Sequence, residues 1–165
     1  MVPRLRLAHL LAGLTAGAAL FAALASEWWG GLVPCALCLV ERHPYRAIIA
    51  LALAGLLLPR HIARIALVLI TLATIASTIA ATVHVGVERK LWPSPMPECM
   101  APNLGTGTLA ERLARMPAHP SMACEDPTYL IKNLPISMAE LNLLLSLGLF
   151  ASITWFLATT RKTDP

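Results

Sequence analysis

Four cysteines are the residues of this chain best suited to chemistry, and their spacing divides them into two unlike pairs. Cys35 and Cys38 stand in the run Pro-Cys-Ala-Leu-Cys, whereas 24 residues separate Cys99 from Cys124. Thiolates and disulfides exchange electron pairs by nucleophilic attack on sulfur. A bond across the short pair would close a ring of about four residues and stabilise the fold by only about 2 kcal/mol. The pattern therefore favours a redox role for Cys35 and Cys38.

Other uses of a Cys-x-x-Cys motif find less support in the sequence. Covalent haem attachment requires a histidine directly after the second cysteine, and Leu39 occupies that position. A structural zinc site typically takes a second close pair, which Cys99 and Cys124 do not supply. We therefore expect no metal ligand among these residues. The wider pair keeps a second interpretation as a structural bridge, because its ring would stabilise the fold by about 3.5 kcal/mol.

The composition indicates that membrane helices position these cysteines. Of the 165 residues, 57% are apolar and 13% are charged, compared with about 45 to 50% and about 25% in soluble domains. The apolar residues concentrate in four stretches that each reach the roughly 20 residues of a spanning helix. We predict an all-α membrane protein, a four-transmembrane-helix bundle that forms a single domain over residues 1–165. The spans are expected at about 5–25, 35–58, 62–83 and 138–158.

Basic residues near the ends of these stretches predict the orientation of the bundle. They precede the first span, occupy the second connection and follow the fourth span, at Arg4, Arg6, Arg60, Arg64, Arg161 and Lys162. By the positive-inside rule these regions and both termini are cytoplasmic. Topology then explains the net charge of +4, and no nucleic acid partner is expected. The external loops, at about 26–34 and 84–137, and the outer end of the second span then place all four cysteines on an oxidising side, where disulfides persist.

The first apolar segment has a second interpretation as a cleavable secretory signal. Arg4 and Arg6, an apolar run and the sequence Ala-Leu-Ala at 23–25 fit that pattern. The run of about 19 residues exceeds the usual 7 to 15, so a retained first span is favoured. Cleavage would leave the other three spans unchanged.

The second span carries charges at a depth where they are costly. Its uninterrupted apolar part covers only residues 47–58, so a spanning helix must begin near Pro34. It then includes four ionisable residues, Glu41, Arg42, His43 and Arg46, and such residues in a membrane helix are functional candidates by default. Arg42 is one turn after Cys38 and shares a helix face with both cysteines. The helix N-terminus and Arg42 are expected to activate the Cys38 sulfur, whereas no role follows for Glu41 or His43.

The long external region, residues 84–137, is rich in proline and shows no alternating strand pattern. We predict an irregular periplasmic loop that carries one short amphipathic helix. Leucine and methionine repeat at helical spacing over residues 109–116, as in a helix lying on the membrane surface. Two capping boxes are recognisable, Thr108 with Glu111 and Ser137 with Glu140. The second of them marks the start of the fourth span.

The first cysteine motif and its surroundings resemble a known family of membrane proteins. The run Pro-Cys-Ala-Leu-Cys-Leu-Val-Glu-Arg at 34–42, opening a membrane helix after two tryptophans, resembles the disulfide bond formation protein B (DsbB) family of bacterial inner membranes. Further features agree in order along nearly the whole chain: His84 at the end of the third span, Trp-Pro-Ser-Pro at 92–95 before Cys99, and Cys124 before Glu-Asp. The resemblance places the chain in the bacterial inner, or cytoplasmic, membrane.

The resemblance implies a quinone-dependent oxidoreductase that generates protein disulfides. A member of this family reoxidises a periplasmic thioredoxin-fold oxidase, DsbA or a relative, and passes two electrons to a membrane quinone, here ubiquinone or menaquinone. In the family the second cysteine of the short pair faces the quinone and the arginine four residues later helps to bind it. These roles fall to Cys38 and Arg42, with His84 as a further candidate in the quinone pocket.

The resemblance also implies an order of disulfide exchange. Cys99 would form the mixed disulfide with the partner protein, Cys124 would pass electrons inward, and Cys35 would exchange with this loop pair. A disulfide in a mobile, proline-rich external loop is expected to be accessible to another protein's thiolate. Glu88, one turn after His84, is interpreted as a hydrated charge at a helix end.

Two other functions remain open from the sequence. Vitamin K epoxide reductase-like enzymes are also quinone-linked and also combine a loop pair with a Cys-x-x-Cys pair. In those enzymes the loop pair comes first along the chain, so the order found here disfavours them. A tetraspan adaptor without enzymatic activity would use Cys99 and Cys124 only to staple its external loop. Quinone-dependent thiol oxidation by the purified protein distinguishes the enzyme from the adaptor.

Overall fold

The computed structural model describes residues 2–99, 108–114, 122–130 and 134–161. Within these ranges the chain is all-helical and contains no strand, which confirms the predicted class. A single 3-10 turn, Pro97–Cys99, precedes the loop helix. The α-helices are α1 (Val2–Trp28), α2 (Ala36–Leu57), α3 (Arg60–Glu88), α4 (Leu109–Ala114) and α5 (Met138–Arg161).

Three helices in the described part of the chain are long and apolar enough to cross a membrane. They are Arg4–Trp28 in α1, Arg60–Glu88 in α3 and Met138–Thr159 in α5. The second predicted span, α2, has a comparable length but contains Glu41, Arg42 and Arg46, so its composition alone does not mark it as a span. The prediction that α2 also spans the membrane therefore stays a prediction.

Helix α2 lies at the centre of the bundle and packs on both α1 and α3, and α5 packs on α3. Large apolar side chains on the outer faces, including Leu14, Phe21, Leu72, Leu144 and Trp155, are more than half exposed. Apolar surface of this extent marks contact with a membrane or a partner. The hydrophobic core between the helices instead contains small and branched residues such as Ala16, Ile48, Ala52 and Ile70.

Helices α1 and α2 run antiparallel in close contact. A methyl group added at Gly13 of α1 would lie 3.1 Å from Cβ of Ala52, and small residues of this kind allow membrane helices to approach closely. Nearer the helix ends, the ring of His9 fills the space that a side chain at Gly55 would need. The opposite ends of the two helices are joined by the pair Glu27 and Arg42.

The N-terminus of α2 is built around the first cysteine. Cys35 is the N-cap residue, and its sulfur accepts the backbone N–H of Cys38 at 3.1 Å. The first helical residue is Ala36, so the predicted start near position 34 is confirmed. Pro44 lies inside the helix and has no N–H to donate to the carbonyl of Val40. His43 Nδ1 lies 3.2 Å from that oxygen and donates in its place.

Both predicted capping boxes are present. Thr108 N–H donates to Glu111 Oε2 at 2.9 Å, and Glu111 N–H donates to Thr108 Oγ1 at 3.3 Å. Ser137 and Glu140 exchange the same two bonds at 3.2 and 3.1 Å at the start of α5. The short loop helix is therefore confirmed as α4, and its Leu109 is largely exposed. The predicted contribution of residue 116 lies outside the described residues.

Candidate redox site

The Cys35 and Cys38 sulfurs lie 2.7 Å apart as free thiols at the first turn of α2. Cys35 is buried and Cys38 is partly buried. The free N–H of the helix start points at the sulfur of Cys35, since Cys38 N–H donates to it. The expected activation by the helix N-terminus therefore acts on Cys35, because the cap position brings that sulfur across the end of the helix.

A buried histidine joins this pair to a chain of polar side chains. His84 Nε2 on α3 lies 3.4 Å from Cys35 Sγ, and His84 Nδ1 lies 2.9 Å from Glu41 Oε1 on α2. The second oxygen of Glu41 accepts a hydrogen bond from Asn142 Nδ2 at 2.8 Å. Tyr45 donates its hydroxyl to Asn142 Oδ1. The carboxylate of Glu41 is thus held on both oxygens and fixes the histidine ring.

A second set of polar contacts joins the end of α3 to the start of α5. Ser137 Oγ donates to Glu88 Oε2 at 2.5 Å, and Glu88 Oε1 lies 3.9 Å from His84 Nε2. The Glu88 side chain is only 6% exposed, so its interpretation as a hydrated charge is wrong. Ser137, the residue before α5, donates a hydrogen bond to it. Outside the apolar helices, the Glu140 carboxylate raises the pKa of the exposed Arg89 guanidinium through a hydrogen bond and its charge.

Cys99 and Cys124 form a disulfide that packs directly against the first pair. Both residues are at most 1% exposed, and they share an apolar cluster with Cys35 and Val87. Cys124 N–H donates to the Cys99 carbonyl at 3.1 Å, and Met122 forms an isolated backbone bridge with Cys35. The expectation of an accessible disulfide is therefore wrong for this conformation, because the loop folds its sulfurs inward onto the start of α2.

On the other side of the pair lies an apolar cavity of about 180 Å³. Its walls come mainly from α1, α2, α5 and the 32–34 connection, and the polar side chains that line it include Cys38, Arg42 and His84. Helices α1 and α5 make few contacts with each other, so the cavity lies at a loosely packed seam between them. Arg42 pairs with Glu27 through one guanidinium nitrogen. Its buried Nε has no hydrogen-bond partner within the described ranges.

The structure brings all six candidate residues into one region. They are Cys35, Cys38, Arg42, His84, Cys99 and Cys124. Sequence reasoning missed the part played by Glu41, Asn142 and Glu27. Glu41 was detectable as a costly charge with no assigned partner, and Asn142 as a polar residue one turn into an apolar helix. Glu41 and its partner His84 are 43 positions apart in the sequence. Local spacing does not reveal a contact between residues so far apart.

The apolar helices and the two adjacent sulfur pairs define a membrane protein of the thiol–disulfide class. The family model described as disulfide bond formation protein DsbB matches residues 5–156, and the chain belongs to this family. An uncharacterized protein of Rickettsia prowazekii (strain Madrid E) is 33% identical over 148 residues, covering 87% of this chain and 84% of the relative. No solved structure matches the chain significantly. Family membership implies an oxidoreductase of membrane disulfide-bond formation.

Proposed function

We propose that this chain is a thiol oxidase of the bacterial inner membrane that reoxidises a periplasmic thioredoxin-fold, DsbA-like protein and passes two electrons to a membrane quinone. The observation that carries the proposal is the position of the Cys35–Cys38 pair. Cys35 shares a buried cluster with the Cys99–Cys124 disulfide on one side, and Cys38 lines the apolar cavity together with Arg42 on the other. A pair in this position suits a relay between a protein substrate and a lipid-soluble acceptor.

The proposal includes α2 as a membrane span, which brings the number of spans to four. Its C-terminal part contacts the N-terminal part of α1 at Gly55 and His9, and its first turns contact the end of α1 at Arg42 and Glu27. Helix α2 therefore accompanies α1 along its whole length. Its charges at 41 and 42 are paired with His84, Asn142 and Glu27, which lowers the cost of burying them. Both termini then lie in the cytoplasm and the cysteines at the periplasmic boundary.

The cavity fits a quinone head group by the chemistry of its lining. Its walls are predominantly apolar, as in most small-molecule sites, and a small number of polar groups fix orientation. The buried Arg42 Nε has no partner among the described residues and is available to donate to a carbonyl oxygen. The seam between α1 and α5 gives access from the lipid. When bound, ubiquinone or menaquinone supplies an acceptor for two electrons and two protons.

The outer half of the relay is disulfide exchange at the loop pair. A partner thiolate attacks the Cys99 sulfur, and Cys124 leaves as a thiolate. The partner's second thiolate then attacks its own sulfur in the mixed disulfide, which forms the partner's disulfide and releases Cys99. Because Cys99 is buried in the described conformation, docking of the partner must first displace the segment that covers it.

The inner half returns the loop pair to its oxidised form. Cys124 attacks Cys35 in its disulfide with Cys38, and Cys38 leaves as a thiolate. Cys99 then attacks Cys124, which restores the loop disulfide and releases Cys35. Both electrons now reside on Cys35 and Cys38.

The polar chain behind Cys35 handles the protons of the inner dithiol. His84 Nε2, 3.4 Å from Cys35 Sγ, is placed to take the proton of that thiol. Glu41 at Nδ1 stabilises the ring when it becomes charged, and Asn142 holds Glu41 in position. Cys38, on the cavity wall, is the sulfur that faces the acceptor.

The test is a coupled assay on the purified full chain. A reduced thioredoxin-fold partner is mixed with the protein and short-chain ubiquinone or menaquinone analogues, and quinol formation is compared with loss of partner thiols. We expect one quinol per partner disulfide. An adaptor would give no quinol with either analogue while the partner still bound. Cys38→Ser is expected to abolish quinol formation, and normal turnover by that variant would refute the assignment.

A further inference from the structure

The first cysteine pair and His84 also have the composition of a metal centre. One ligand atom from each of Cys35, Cys38 and His84 lies within 4.8 Å of the others. Zinc binds cysteine sulfur at about 2.3 Å and histidine nitrogen at about 2.0 to 2.1 Å, so small shifts would let these atoms converge on one ion. We propose that the dithiol form of the protein binds one soft divalent cation, Zn²⁺ or Cd²⁺, through these three residues.

The ligand set determines which cation is favoured and what binding releases. Thiolate and imidazole ligands select zinc-like ions over calcium or magnesium, which prefer oxygen. Each thiol must lose its proton to become a ligand, so binding of one ion releases two protons. The two thiolates of Cys35 and Cys38 neutralise the charge of the ion, which favours its transfer into a buried site. The sulfurs, now 2.7 Å apart, must separate to hold the ion between them.

The residues around His84 are arranged like those that orient the ligating histidine in known zinc sites. A ligating histidine almost always donates its other ring N–H to a carboxylate or carbonyl, which fixes the tautomer. Here Nδ1 is held by Glu41 Oε1 at 2.9 Å, and Nε2 is directed at the Cys35 sulfur. The side chains of His84 and Glu41 are 3% and 9% exposed. Glu88 Oε1, 3.9 Å from Nε2, is within reach of a fourth coordination position.

Metal binding and disulfide formation at this pair exclude each other, because a thiolate ligand is required. Only the reduced pair binds, and a bound ion blocks reoxidation of Cys35 and Cys38. The sequence concealed this site, since it contains no second close cysteine pair, and the third ligand lies 49 positions from Cys35 on another helix. The inference concerns binding and does not depend on which electron acceptor the protein uses.

The experiment titrates Cd²⁺ into the full chain in detergent, with thiols reduced and the reductant removed without air. Thiolate-to-cadmium charge-transfer absorption and the cadmium NMR shift report binding. The Cys99→Ala/Cys124→Ala variant confines the thiols to the inner pair. We expect it to bind one Cd²⁺ per chain when reduced, none when oxidised, and none after Cys35→Ser/Cys38→Ser is added to it. If this variant is unstable, reduced wild-type protein is compared with reduced Cys35→Ser/Cys38→Ser, which keeps only the loop thiols, and wild-type protein should bind one Cd²⁺ more.

Substitutions at two histidines of the same helix distinguish the loss of the proposed ligand from general effects of mutation. His84→Gln is expected to weaken Cd²⁺ binding at least tenfold. Glu41→Gln is expected to weaken it roughly 10- to 100-fold, because it removes the carboxylate that orients the ligating histidine. His61, exposed on the same helix α3, provides the control, and His61→Gln should bind as wild type. Equal affinities of the His84 and His61 variants would overturn the proposal. Cd²⁺ binding of equal strength by oxidised and reduced protein would overturn it as well.

Discussion

Replacing Glu41 by glutamine tests whether the polar chain behind the cysteines sets the position of His84. Glu41 accepts from Asn142 at 2.8 Å and holds His84 Nδ1 at 2.9 Å. Glutamine has nearly the same shape, but only one of its two terminal atoms can accept a hydrogen bond. One of these two hydrogen bonds is therefore lost. A hydrogen bond to a charged group contributes about 1.5 to 3 kcal/mol. A loss of about 2 kcal/mol corresponds to roughly 30-fold in rate.

The assay is rapid mixing of the reduced protein with a quinone analogue. We expect Glu41→Gln to form quinol roughly 30-fold more slowly, whereas its loop disulfide still exchanges with a small dithiol. Glu111→Gln provides the control, because a capping box accepts glutamine at that position and Glu111 is exposed on α4. If Glu41 acts through His84, adding Glu41→Gln to His84→Gln should cause little further loss. Equal rates for the Glu41 and Glu111 variants would refute the reasoning.

Three further predictions address the cavity, the loop and the helix packing. Arg42→Gln should raise the KM for quinone roughly 10- to 100-fold by removing a charged donor, whereas Arg46→Gln, exposed on the same helix, should leave KM unchanged; equal KM values for the two variants would exclude Arg42 from the quinone site. Cys124→Ser should trap a covalent complex of Cys99 with a reduced thioredoxin-fold partner on a non-reducing gel, and trapping that tolerates loss of Cys99 would reverse the two roles. Gly55→Ala should lower the free energy of unfolding by about 1 to 3 kcal/mol through overpacking, because the new Cβ would lie 2.0 Å from the His9 ring; an unchanged Tm would show that His9 has room to move.

Features that depend on neighbouring residues were predictable from the sequence. The start of α2 follows from Pro34 and the length of a spanning helix. Both capping boxes follow from a serine or threonine three positions before a glutamate. The capping boxes are decided within one helical turn and the helix start within one span, so the sequence of a single segment contains the necessary information.

Features that depend on how helices pack against each other were not predictable. Glu41 contacts His84 between α2 and α3, and Glu88 at the end of α3 contacts Ser137, the residue before α5. Such contacts depend on the rotation and offset of two helices, which no periodic pattern within one helix determines. The burial of the Cys99–Cys124 disulfide has the same origin, because only its tertiary contact with Cys35 and Val87 removes it from solvent.

The most direct test of the relay is the number of quinols formed when the fully reduced protein is oxidised completely by quinone without a partner. Wild-type protein holds two cysteine pairs, so excess quinone analogue should yield two quinols per chain. Cys99→Ala/Cys124→Ala should yield one, because the inner pair still reaches the acceptor. Cys35→Ala/Cys38→Ala should yield none. One quinol from this last variant would contradict the relay, since the loop pair would then reduce quinone without Cys35 and Cys38.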